Sequence, residues 1–96
     1  MAQTVGEKMC RIARNHQVLC VTHLPQIAAL GDAHFRVEKQ TDGNRTETRV
    51  LRLDFEGRVR ELSRLVGGAE DSESSLSHAR HMLEDAAAVR EQLRNA

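Results

Sequence analysis

Apolar residues along the chain change spacing several times, and each change marks an element. Between Gln3 and Asn15, Val5, Met9, Ile12 and Ala13 recur at i, i+4, i+7 and i+8, which lines one face of a helix. Gln17 to Thr22 follows at once as a short apolar run, rich in β-branched residues and without alternation. That pattern predicts a strand covered on both faces, as in a parallel sheet under helices. Helix, tight loop and buried strand make half of an α/β unit. Proline is tolerated in a first helical turn, so Pro25 predicts a short helix through Gln26 to Leu30, stopped by Gly31 and Asp32.

The period then becomes strand-like. Phe35 and Val37 alternate with Arg36 and Glu38, and Thr41-Asp42-Gly43-Asn44 is a strong hairpin signal because Asp-Gly accepts the positive φ of tight turns. Thr46 to Leu53 returns as the second strand, and its many charges predict a solvated hairpin or a sheet edge. Asp54 can cap the next helix, whose apolar stripe is Val59, Leu62, Leu65 and Val66. Gly67-Gly68 ends it, with the second glycine free to turn left-handed. Glu70 to Ser75 is a linker and cap region. A long last helix is predicted from about Ser75 to Arg94, with Leu76, Ala79, Leu83, Ala86 and Leu93 on its buried side and Met82 and Val89 beside them. The whole is a mixed α/β fold with at least three helices.

Composition narrows the classes of function. Ninety-six residues suit one domain with a modest core. Fourteen Lys and Arg balance fourteen Asp and Glu, which argues against a general nucleic-acid footprint. The balance is uneven along the chain: residues 1–40 carry five bases and three acids, residues 67–96 three and six. Phe35 and Phe55 are the only aromatics, too few for a base-stacking platform. No apolar run approaches the ~20 residues that span a bilayer, and no apolar leader stands at the N-terminus, so a cytoplasmic protein is expected. Cys10 and Cys20 sit among apolar residues and are expected as reduced core side chains.

Candidate chemistry centres on Thr22-His23, at the carboxyl end of the expected buried strand. Ligands of open α/β sheets bind just outside such strand ends, and a histidine there can donate to a phosphate oxygen or hold a water for attack. It can equally be a histidine that only caps the loop. His78 and His81, three apart on the last helix, could share a metal, but no third ligand is spaced to join them and a surface pair is expected. His16 and His34 have no partner by spacing and are expected at the surface. No phosphate-cradling glycine pattern, nucleophile elbow or Cys-x-x-Cys occurs.

The string Val18-Leu19-Cys20-Val21-Thr22-His23-Leu24-Pro25-Gln26-Ile27-Ala28 is far more specific than any of these single signals. It resembles the RecN family of bacterial DNA repair proteins, which are SMC-like, ABC-type ATPases. The likeness continues through Lys39-Gln40-Thr41-Asp42-Gly43 and Thr46-Glu47-Thr48 to Arg60-Glu61-Leu62-Ser63-Arg64-Leu65-Val66-Gly67-Gly68. It covers about residues 5–83 and fades after about Leu83.

The resemblance implies that residues 1–96 are the C-terminal fragment of a P-loop ATPase head, beginning just past the D-loop. The Walker A loop, signature motif and Walker B strand that bind ATP and Mg²⁺ between two heads would precede this segment. His23 matches the family's switch histidine, the H-loop residue that contacts the ATP γ-phosphate and helps position the attacking water. The partners implied are the rest of the head, a second head and DNA, in the cytoplasm at the nucleoid, acting in double-strand break repair and recombination. Without the Walker motifs the fragment itself is expected to hydrolyse nothing, to hold no nucleotide of its own, and to self-associate through its uncovered strand edge. Glu7 is not the missing catalytic base. A small non-enzymatic α/β interaction module is the rival reading, and an independent phosphatase-like enzyme using His23 a distant third.

Overall fold

A computed structural model describes residues 2–67 and 72–95. In chain order the elements are α1 (Ala2–Ile12), α2 (Pro25–Leu30), β1 (Phe35–Asp42), β2 (Arg45–Arg52), α3 (Phe55–Leu65) and α4 (Glu73–Asn95). This is an α/β arrangement in which the described strands form one antiparallel pair. The short helix α2 sits at the centre and touches α1, α3 and α4. Ala29 and Leu30 of α2, Val59 and Leu62 of α3, and Ala79, Leu83 and Ala86 of α4 form the buried core.

The expected strand at Gln17 to Thr22 is the main correction. Residues 17–24 belong to neither helix nor strand. Leu19 is 90% and Val21 97% exposed. A parallel strand exists only by pairing with neighbours, and the described residues offer none, so the run keeps its strand-like composition but forms no ladder. Cys20 lies on this run and is exposed, and Cys10 is only half-buried, its thiol 3.7 Å from the Leu30 carbonyl oxygen. Cys10 packs against the core from its edge, whereas Cys20 is not the core residue the sequence predicted. Burial pushes the Cys10 thiol pKa up.

Helix α1 also turns differently from its predicted stripe. It buries Gly6, and a Cβ there would stand 2.5 Å from Leu30 Cδ1. The absent side chain lets α1 and α2 approach closely. Val5 and Ile12, on the predicted buried face, are 46% and 55% exposed. The helix ends at Ile12, and the Arg14 and Asn15 amides close tighter turns onto the Arg11 and Ile12 carbonyls.

The hairpin forms as its alternation predicts. Gly43 has φ +61° and Asn44 does not share a positive φ, so glycine takes the first central position of a two-residue turn. The register pairs Phe35 with Arg52 and Val37 with Val50 on one face, where the Arg52 guanidinium lies 5.9 Å from the Phe35 ring centroid. Arg36, Glu38, Asp42, Arg45, Glu47 and Arg49 occupy the other, with Arg36 Nε 3.2 Å from Glu38. Nearly all of the hairpin is exposed, and it projects from the helices. The radius of gyration is 14.7 Å, against about 12.5 Å for a compact chain of this length.

At the hairpin base, the Leu53 amide extends the ladder to the His34 carbonyl at 2.9 Å. Asp54 then caps α3, its Oδ1 accepting from the Gly57 amide at 2.8 Å. His34 is half-buried instead of exposed, because this junction packs it near Arg58 and Glu61. Burial and the Arg58 charge lower its pKa while Glu61 opposes them. At the far end of α3 it is Gly67, with φ +96°, that turns left-handed. Gly68, where the sequence placed that turn, lies outside the described residues, as do Glu70 and Asp71 of the expected linker.

Glu61 is a buried carboxylate, and Arg64 donates to it through Nη2 and through Nε at 3.2 Å, with Arg36 3.8 Å away. The Arg64 hydrogen bonds hold its pKa below the usual carboxylate range. A depressed folded pKa stabilises the fold fully above the unfolded value of about 4.3 and is lost as pH falls through the folded value. The urea midpoint should therefore fall more steeply below about pH 4.3 in the wild type than in Glu61→Gln. Parallel titration curves for the two would exclude this role.

Candidate functional site

His23 is exposed on the segment that leads into α2. Thr22 Oγ1 accepts a hydrogen bond from the Leu24 amide at 3.0 Å, which turns the backbone around His23. Leu24 is extended, at φ −91° and ψ 119°, as a residue before proline must be. Pro25 opens the helix, and the Ala28 amide closes its first turn onto the Leu24 carbonyl at 3.1 Å. The loop carrying His23 is thus fixed to α2 by geometry that Thr22 and Pro25 encode.

Six residues are far below the length at which a helix persists alone, so α2 depends on what holds its end. Gly31 has φ −68° and ψ 144°, not the left-handed conformation of a glycine cap. Beside the Gly31 amide on the Ala28 carbonyl (3.4 Å) and the Cys10 thiol on that of Leu30 (3.7 Å), the last carbonyls are met by arginines from other elements. Arg58 Nη2 donates to the carbonyls of Ala28 (3.3 Å), Ala29 (3.4 Å) and Gly31 (2.8 Å). Arg90 Nη1 donates to Leu30 (3.4 Å) and Gly31 (3.2 Å). Asp32 balances the cluster, 3.2 Å from Arg90 Nε and 2.7 Å from Arg94 Nη2. Burial and the Arg90 charge lower the Arg58 pKa.

Sequence reading missed this clamp. Arg58, Arg90 and Arg94 lie beside stripe residues Val59, Val89 and Leu93, but no local signal ties them to α2. His78 and His81 are exposed on α4, and among the described residues no three His, Cys, Asp or Glu side chains converge as metal ligands. No helix among the described residues is long and apolar enough to cross a membrane.

No protein-family model matches the chain. Over 89 residues it is 49% identical to the DNA repair protein RecN of Streptomyces coelicolor, a match taking in 93% of this chain and 16% of that protein. It is 46% identical over 82 residues to RecN of Vibrio cholerae, 85% of this chain and 15% of the relative. Against RecN of Bacillus subtilis the identity is 38% over 90 residues, 94% and 16%. The chain is homologous to a segment of RecN. It spans about 15% of the length of these RecN relatives. A 90-residue match within 96 residues must run past Leu83 and so takes in part of α4 beyond it.

Proposed function

We propose that the chain is the C-terminal part of a RecN-like ATPase head that serves double-strand break repair and recombination, with His23 as its switch histidine. Homology to a protein named for DNA repair supports the setting. The observation that carries the site is the pairing of an exposed His23, held by Thr22 and Pro25, with an adjoining apolar segment that nothing covers. The accessible surface is 7105 Å², against about 5,500 Å² for a compact monomer of 10.8 kDa. The surplus of roughly 1,500 Å² is the size of one side of a large permanent interface. The remaining head, with its Walker strands, is the partner whose sheet would pair residues 17–22 and cover Val5 and Ile12.

Among the described residues, His23 is the group this reading places against a nucleotide. His23 can donate an imidazole N–H to a phosphate oxygen and orient a water. The sequence carries no glycine-rich phosphate-cradling pattern, and among the described residues no three His, Cys, Asp or Glu side chains converge. Bound ATP and Mg²⁺ would supply the phosphoryl group and its charge neutralisation from the rest of the head and a second head. Separated from that remainder, the same uncovered run drives self-association.

Reconstitution from two chains tests this reading. This chain and the remainder of the head, purified separately, should each show no Mg²⁺-dependent ATP hydrolysis and regain it on mixing. Turnover by this chain alone, abolished by His23→Ala, would instead make it an independent enzyme.

A further inference from the structure

We propose that Arg58 is a positioning residue for His23, acting by capping the far end of α2. This rests on the reading of His23 as the switch histidine. The last carbonyls of every helix lack a partner within it. In α2 these belong to a helix of six residues, so nearly every carbonyl is an end group. Without a left-handed glycine, the Gly31 amide reaches back to the Ala28 carbonyl, at 3.4 Å, and the later carbonyls need donors from elsewhere. A guanidinium answers this need well, offering several N–H groups and a positive charge at the negative end of the helix. Arg58 Nη2, with two N–H groups, meets the carbonyl of the cap residue Gly31 at 2.8 Å and lies 3.3–3.4 Å from those of Ala28 and Ala29.

Arg58 lies one turn into α3, directly behind the Asp54 cap and beside the fully buried Val59. Its own position is therefore rigid. Leu30, the last residue of α2, and Ala29 are packed in the same core. The other end of α2 is the Leu24-Pro25 junction, with His23 one residue further and fastened through Thr22. Fixing the last turn of so short a helix fixes its first turn as well, since only about 9 Å separate them. Arg90 shares the Gly31 carbonyl but also pairs with Asp32. Arg94 reaches only the exposed Asp32, which makes Arg94→Ala a control with little expected effect.

The test uses the complete protein carrying this segment. Hydrogen exchange without nucleotide should show the amides of residues 24–31 exchanging about 10-fold faster in Arg58→Ala than in wild type, with α4 unchanged. Arg58→Lys, which keeps the charge on a shorter side chain, should fall between them. In ATP hydrolysis, Arg58→Ala should lower kcat about 10-fold and leave KM within about twofold. In a His23→Ala background it should cost nothing further, because a residue acting only through His23 has no other route. Unchanged exchange at 24–31 would overturn the proposal, and so would an equal loss in both backgrounds, which marks general destabilisation. If His23→Ala itself left turnover intact, the reading of His23 would fall and the catalytic role of Arg58 with it. Exchange alone would still decide whether Arg58 holds α2.

Discussion

Replacing His23 by alanine in the complete protein should lower the maximal rate of ATP hydrolysis about 100-fold, the usual cost of removing one donor aimed at developing charge. The thermal midpoint should move by less than about 2 °C, as for a surface position without buried contacts. The two effects separate because His23 is exposed and the loop is shaped by its neighbours. Thr22 Oγ1, the Leu24 amide and Pro25 keep the turn whether or not the imidazole is present. Asparagine at position 23, a donor of similar reach, should recover part of the rate. Wild-type turnover by His23→Ala would remove the histidine from the reaction.

The second large effect concerns the chain studied apart from its partner. Light scattering across a dilution series should show multimers at high micromolar concentration that dissociate on dilution. Leu19 and Val21 are almost wholly exposed beside unpaired backbone groups, a combination that recruits other strands. Burying each such side chain is worth about 1.5–3 kcal/mol. Leu19→Ser with Val21→Ser should therefore weaken association about 100-fold or more. Mixing with the rest of the head should compete with the multimer, since both use the same run. A strict monomer at high concentration would mean that the run needs no partner strand.

Much of the architecture can be read in the residues because the relevant signals are local. Asp54 caps α3 three residues before the amide it accepts from, Asp42-Gly43 turns the hairpin, and Pro25 opens α2. The misreadings share a different cause. Val18 to Val21 carry the composition of a buried strand, yet a ladder is a property of two segments and the second is not among the described residues. Val5 and Ile12 have helical spacing, but which face a helix buries depends on close approach, and Gly6 against Leu30 decides it. The shape of the loop around His23 is legible too, in Thr22 and Pro25. The arginine clamp was not, because its donors and acceptors are joined only by packing of α3 and α4 around α2.

That clamp has a consequence for the order in which the protein is made. Arg90 and Arg94 follow the groups they hold by 59 to 62 positions. At a synthesis rate of about 5–20 residues per second, roughly 3–12 seconds pass before they exist. Through that interval Arg58, only 27 to 30 positions downstream of the carbonyls it meets, is the first of these arginines to be made. Helix α3 is therefore in place to meet the end of α2 first, and α4 adds its donors to a helix whose residues left the ribosome's catalytic centre long before.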